Sequence, residues 1–270
     1  MKYAIDGTGP AVLLLHGIPT SGRLWDYIVP VLKRRYTCVV VDLPGAGESP
    51  PLADGSLDPA RYAQELEALR RHLDIPAWHV VGHDAGAAIA VHYAAQFGDR
   101  LNALVLCSPP IFPEFKIPWF FRIMRPPLLG ECLAPLMELL LWQIGMPATI
   151  TRRDPSAAQI IAAFHRPYAG YAGRRRFLRV LRWGDPAQVL AHTASLLPQI
   201  SAPTLLIQGK TDGAIPLSFA QRAAAIIPGA QLHMMECGHF LSLNCPDAFG
   251  ERLLQFLDHI GSGEAEPPRC

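Results

Sequence analysis

His79-Val80-Val81-Gly82-His83-Asp84-Ala85-Gly86-Ala87-Ala88 decides the fold of this 270-residue chain. A short β-branched run leads into a tight turn flanked by glycines. A helix of small residues follows, with Ala87, Ala88, Ala90, Ala94 and Ala95. This is the layout of a nucleophile elbow, in which a strand turns sharply into a helix and lifts one side chain above the sheet. The small residues suit a strained turn and a helix packed close to neighbouring strands. The elbow usually reads Gly-x-Ser-x-Gly, and here Asp84 stands at the serine position. Alone, Gly-x-Asp-x-Gly is unspecific, and Asp84 reads as a helix N-cap. Partners in the right order would make it specific.

On either side of this stretch, buried-strand runs alternate with helical ones. Residues 11–15, 38–41 and 103–107 are continuous apolar runs bounded by turns, the pattern of strands covered on both faces. Residues 3–5 read as a further short strand, and 59–73 as an amphipathic helix. From about 111 to 198 the composition changes to tryptophan, many prolines and helical apolar stretches. The alternation resumes with strands at 204–209 and 231–235, a helix near 217–227 and a last helix at 249–260. The pattern predicts one mostly parallel sheet covered on both faces, interrupted by a helical insertion. The predicted domains are a core of 1–110 and 199–260, a cap of 111–198 and a disordered tail of 261–270.

Composition narrows the function. Hydrophobic residues make up 50% and charged residues 17%, which suits a well-buried enzyme and argues against disorder. A net charge of +1 gives no electrostatic case for a nucleic-acid partner. Cys38, Cys107, Cys132, Cys237, Cys245 and Cys270 lack the spacing of a disulfide scaffold or zinc site. They read as free thiols in a cytoplasmic protein that needs neither metal nor cofactor. No leader is visible, and the apolar run 128–146 is too interrupted by Glu131, Pro135, Glu138 and Gln143 for a membrane span.

Two further loops complete a constellation. Lys210-Thr211-Asp212-Gly213 follows the strand ending at Gly209, and Glu236-Cys237-Gly238-His239-Phe240 follows the strand ending near Met235. Sites of open α/β sheets gather at such carboxyl ends. The order Asp84, Asp212, His239 is nucleophile, acid, histidine. His83 and His16 read as packed structural histidines, Asp42 as a turn-former, and Arg174-Arg175-Arg176 as a solvated helix face.

With His16-Gly17-Ile18-Pro19, Asp42-Leu43-Pro44-Gly45-Ala46-Gly47-Glu48-Ser49, the elbow and Gly238-His239-Phe240, the chain resembles the α/β-hydrolase superfamily over essentially its whole length. The aspartate in the elbow is similar to the branch of epoxide hydrolases, haloalkane dehalogenases and fluoroacetate dehalogenases. The resemblance implies an α/β-hydrolase fold, a doubly wound sheet with the cap inserted after the sixth strand. A carboxylate is poorly suited to attack an ester, since an anhydride would result. It is well suited to displacement at a saturated carbon, which leaves an alkyl ester. His239 would then activate water, Asp212 would orient His239, and the backbone N–H groups of Ile18 and Ala85 would form the oxyanion hole.

The leaving group separates the branches. The halide-binding Trp or Asn of haloalkane dehalogenases is replaced here by Ala85 and Ile18, and the arginines of fluoroacetate dehalogenases are missing beside the elbow. Epoxide hydrolases protonate the alkoxide with cap tyrosines, for which the insertion offers Tyr168 and Tyr171. The expected function is therefore epoxide hydrolysis of a small apolar electrophilic substrate by water. The alternatives are a dehalogenase-like hydrolase, a non-catalytic ligand-binding protein of this fold, or a non-hydrolytic biosynthetic role.

Overall fold

Seven strands form one sheet in the order β1-β3-β2-β4-β5-β6-β7. They are β1 Lys2–Asp6, β2 Ala11–Leu15, β3 Thr37–Asp42, β4 Trp78–His83, β5 Leu101–Cys107, β6 Thr204–Gly209 and β7 Gln231–Met235. The computed structural model describes residues 1–151 and 154–262. β1 pairs antiparallel with β3, and every other pair is parallel. All five residues of β2 and all six of β4 and of β6 are buried, as continuous apolar runs require when helices cover both faces.

The helices are α1 Val29–Leu32, α2 Pro59–His72 and α3 Ala85–Phe97, then α4 Trp119–Arg122 and α5 Leu129–Leu140. A π-turn, Leu141–Gly145, joins α5 to α6 Met146–Thr149. There follow α7 Pro155–His165, α8 Gly170–Leu181, α9 Pro186–Leu196, α10 Leu217–Ile226, α11 Leu241–Asn244 and α12 Pro246–Ser262. Helices α4 to α9 all lie between β5 and β6, so the insertion is helical as expected. It follows the fifth strand and not the sixth, because a single strand, β1, precedes β2. α12 also runs through Gly261 to Ser262, into the segment expected as a tail, while 263–270 lie outside the described residues.

Strand order explains where a site can form. The chain runs from β2 to β3 on one side of β2, then returns to lay β4 on the other side. The loops leaving the carboxyl ends of β2 and β4 therefore diverge, and ligands of open α/β sheets bind in such crevices. Leu15 of β2 is level with Gly82 of β4, which sets the loop after β2 beside Asp84.

The elbow helix α3 is fixed from behind by α2. Glu67 of α2 accepts from Arg70 Nη2 at 2.8 Å and from the Tyr93 hydroxyl of α3 at 3.0 Å. Both members of the Glu67–Arg70 pair are buried. Glu67→Ala would leave Arg70 charged and unpaired, a change that costs about 3–5 kcal/mol. Urea unfolding of this variant should read a loss of that size.

Cys237 and Cys245 are joined as a disulfide, which corrects the expectation of free thiols for this pair. The eight-residue separation belongs to none of the scaffold patterns, so spacing alone does not reveal it. Cys38, Cys107 and Cys132 are free, and Cys270 lies outside the described residues.

Candidate active site

Asp84 sits between β4 and α3 with φ 52° and ψ −124°. A non-glycine residue in this region is strained by about 1–3 kcal/mol, and its neighbours must hold it there. Its N–H donates to Cys107 O at 3.0 Å, and its C=O accepts from Ala87 N at 2.9 Å. The glycines around it permit close approach. A Cβ on Gly86 would lie 2.5 Å from His16 O, and one on Gly17 would lie 2.4 Å from Asp84 Oδ1. Gly17→Ala should therefore displace the Asp84 carboxylate, with a loss of about 100-fold in kcat while the fold by circular dichroism is kept.

The loop after β2 is aimed at this carboxylate. Ile18 N donates to Asp84 Oδ1 at 3.0 Å, and the Ala85 N–H is close enough to favour the charged carboxylate. His16 shapes the loop, as expected of a structural histidine. Its Nε2 accepts from Leu43 N at 3.0 Å, and its Nδ1 donates to Gly17 O at 2.8 Å. Burial lowers its pKa and keeps the ring neutral, as those roles require. Asp42 is the turn-former expected, accepting from Gly22 N and Glu48 N, each at 2.8 Å.

The other two residues of the constellation meet Asp84 from the loops after β6 and β7. His239 Nδ1 donates to Asp212 Oδ2 at 2.9 Å, and His239 Nε2 stands 3.9 Å from Asp84 Oδ2. Asp212 Oδ1 accepts from Ala214 N at 2.8 Å and Ile215 N at 3.0 Å. Burial acts to raise the Asp212 pKa, but the hydrogen bond from His239, its charge and these two N–H groups outweigh it. The carboxyl is held well below the usual range. For His239 burial acts downward, and the bond to Asp212 and the charges of Asp212 and Asp84 overcome it, leaving the pKa raised. Burial raises the pKa of Asp84, against the opposing pull of His239 and the two backbone N–H groups. The arrangement can thus hold a carboxylate under tension beside a histidine able to take a proton.

A cavity of about 310 Å³ opens above these groups. Asp84 and His239 lie at its base, and Phe120, Phe121, Leu141 and Trp183 are among the side chains of the insertion that line it. Its lining is mainly apolar, and Tyr62, Thr149 and Trp183 add donors at its wall. The Tyr62 hydroxyl donates to Pro44 O at 2.9 Å.

Neither tyrosine expected as a leaving-group acid reaches this cavity. Tyr168 is packed in the core between Trp142 and Phe177, with ring centroids 6.2 and 5.1 Å away. Burial raises its pKa well above the phenol range. Tyr171 is 73% exposed on α8, under Arg175. Sequence spacing within the insertion does not say which helix face turns inward. Arg176 likewise departs from a solvated face, since its guanidinium donates to Gly45 O at 2.8 Å and to Ala46 O at 3.2 Å.

One residue beside the site escaped the sequence reading. Gln208 Nε2 donates to Asp212 Oδ2 at 2.9 Å. The signal for it was a polar residue within the buried strand β6. His83, expected to be packed and hydrogen-bonded, is so: its Nε2 donates to His239 O at 2.9 Å and its ring lies 4.7 Å from that of His239. Burial pushes its pKa down to about 3, so this ring is neutral and fixes the His239 backbone without competing for protons.

Comparison with known proteins agrees with this geometry. Residues 10–244 match the model of the alpha/beta hydrolase fold. The chain is 28% identical to a pimeloyl-[acyl-carrier protein] methyl ester esterase of Vibrio atlanticus, over 95% of this chain and 97% of the relative. It is also 28% identical to a cis-3-alkyl-4-alkyloxetan-2-one decarboxylase of Shewanella oneidensis, over 95% and 85%. Among solved structures, a haloalkane dehalogenase variant from Bradyrhizobium elkanii superposes with a TM-score of 0.82 at 25% identity, covering 97% of this chain and 93% of that one. A half-buried carboxylate on the strand–helix turn, a histidine and acid on the loops after β7 and β6, and a family match over most of the chain all agree: this protein belongs to the α/β-hydrolase family.

Proposed function

We propose that the protein is a hydrolase whose Asp84 attacks a saturated carbon of an apolar substrate, and that His239 then directs water onto the resulting ester. The observation that carries this reading is the occupant of the oxyanion site. Ile18 N donates to an oxygen of Asp84 itself at 3.0 Å. A serine-type esterase needs those donors for the carbonyl oxygen of its substrate. Here they hold the oxygen that becomes the carbonyl of an enzyme ester, and then the oxyanion when water adds to it. Each such donor contributes about 3–4 kcal/mol in the transition state.

Oδ2, the oxygen facing His239, attacks carbon, and the leaving group departs with its bonding pair. His239 Nε2 next takes a proton from water, and the hydroxide adds to the Asp84 ester carbon. Collapse expels the alkoxide, which takes that proton back from His239, and the proton still carried by the added oxygen then leaves through His239 to solvent, so that the Asp84 carboxylate is restored. Asp212 stabilises the charged His239 between these transfers. The pH dependence follows. A raised His239 pKa means the ring is already protonated at mildly acid pH and cannot accept a proton from water. The kcat should fall as pH drops, with a midpoint above the ordinary histidine value of 6.5. A stopped-flow pH series should also find ester accumulating on the acid side.

The leaving group is the finer question. With Tyr168 in the core and Tyr171 outside, an epoxide alkoxide loses the acid expected for it. A group leaving as a stabilised anion needs no proton. The carboxylate of a strained lactone is such a group, and it stays tethered to the substrate. It also has no need of the two-donor halide cradle that Ala85 and Ile18 do not supply. We therefore infer that an alkyl-substituted oxetan-2-one, the substrate class for which the Shewanella relative is named, is turned over ahead of alkyl halides. A second reading keeps epoxide opening with Tyr62 as the acid, because Tyr62 is among the residues that line the cavity. Against it, burial pushes that phenol up to about 12. A panel of alkyl oxetan-2-ones, 1-haloalkanes and terminal epoxides tests the order. Lactone loss with a 3-hydroxy acid as product is expected; an alkene product would replace the hydrolytic step by decarboxylation. Faster turnover of epoxides, lost in Tyr62→Phe, would overturn the lactone reading.

A further inference from the structure

We propose that the outer face of the helical insertion is a docking surface for an anionic lipid bilayer. The starting observation is an exposed apolar stripe. Leu128 is 81% exposed, Leu139 57% and Ile144 61%, with Leu136 between them and Trp119 64% exposed on α4. Leu136, Leu139 and Ile144 recur at helical spacing, so they form one outward ridge along α5 and the π-turn. The run Leu129–Thr149 is long and apolar enough to cross a membrane by length and composition, yet only 33% of its apolar window is buried. It is nevertheless tied into the protein. Glu131 pairs with Arg182, just past the end of α8, at 2.8 Å, and Glu138 pairs with His165 of α7 at 2.7 Å. A helix held this way can lie on a bilayer and not span it, in keeping with the charges that interrupt the run.

Charge names the occupant. Residues 111–198 carry eleven Lys and Arg against five Asp and Glu, a net +6, while the rest of the chain carries thirteen against eighteen. The near-neutral total therefore conceals a strongly basic insertion on an acidic core. Arg122 is exposed three residues after Trp119, and Arg175 lies over the exposed Tyr171. Gly170, next to Tyr171, donates to Glu138 on α5, which brings that aromatic–arginine pair to the same helix. Exposed leucines rimmed by arginine and aromatic rings are the chemistry of an anionic membrane interface. A second copy of this chain docked through the same insertion would bring two basic segments together, a repulsive match.

The position also fits an apolar cavity. Leu141 and Met146, on the inner side of the same run, line the cavity above Asp84, so the lipid-facing ridge and the cavity wall are two sides of one element. An apolar substrate dissolved in the bilayer would meet the protein there.

The test is co-sedimentation of the full chain with vesicles of phosphatidylcholine containing one-third phosphatidylglycerol, and with phosphatidylcholine alone. Binding to the anionic vesicles is expected, weaker at high salt and weaker on the neutral ones. The variant Leu136→Asp/Leu139→Asp/Ile144→Asp touches no residue lining the cavity, and it should lose binding by about tenfold or more with an unchanged melting temperature. Absence of sedimentation with either vesicle would overturn the proposal. So would a concentration-dependent dimer in sedimentation velocity that the same variant abolishes, which would give the face to a second copy.

Discussion

His239→Gln should stop turnover while leaving the first chemical step intact. The variant keeps Asp84, its backbone donors from Ile18 and Ala85, and the apolar cavity, so displacement at carbon can proceed. It removes the group that accepts a proton from water, 3.9 Å from Asp84 Oδ2. Steady-state kcat should fall by about 10⁴-fold or more, the scale on which triad members act. Intact-mass spectrometry should find the protein carrying the whole mass of a ring-opened lactone or epoxide, or an alkyl group without halide, on Asp84. Asp212→Asn should imitate this in part. It deprives His239 of a charged partner, so ester should accumulate in it as well, though more slowly resolved than in wild type.

The second large effect separates function from stability. Asp84→Asn should abolish the reaction, because an amide oxygen does not displace a leaving group at carbon. It should also make the protein more stable. Burial raises the folded-state pKa of Asp84 above its ordinary value, so the fold disfavours the ionised form. A carboxyl with this shift costs stability as pH rises through its ordinary pKa toward the raised one, and the cost is complete once pH exceeds the raised value. Asparagine keeps the shape, tolerates φ 52° and carries no charge. A melting temperature a few degrees higher at neutral pH is expected, and the gain should vanish in acid where Asp84 is protonated. A lower melting temperature at neutral pH would mean that the carboxylate is better solvated than its burial implies.

Most of the fold was legible because its signals are local. Continuous apolar runs marked β2, β3, β4, β5 and β6, and Gly82, Gly86 and the alanines of α3 marked the elbow. Asp84, Asp212 and His239 were legible for the same reason: each follows the carboxyl end of a strand, and parallel strands bring those ends together. The insertion was far less legible. Its helices were visible, but which face of each turns inward depends on packing against the core. The exposure of Tyr171 and the burial of Tyr168, three residues apart, could not be told from sequence. Gln208 escaped for a different reason. Its role, like the particular partner of the hydrogen-bonded His83, lies in a single hydrogen bond beside the site, to Asp212 and to His239 O respectively, and no periodicity encodes those. The Cys237–Cys245 pair depends on the turn around His239 that brings two loop cysteines together.

The central claim is that Asp84 forms an ester and that water attacks the carbonyl carbon of that ester. A single turnover in ¹⁸O-labelled water, with enzyme in excess over substrate, tests it most directly. Peptide mapping should find ¹⁸O in the Asp84 carboxylate and unlabelled oxygen in the product alcohol, since the product takes its oxygen from Asp84. Label in the product after that first turnover, with none in Asp84, would mean that water attacks the substrate directly and would contradict the account.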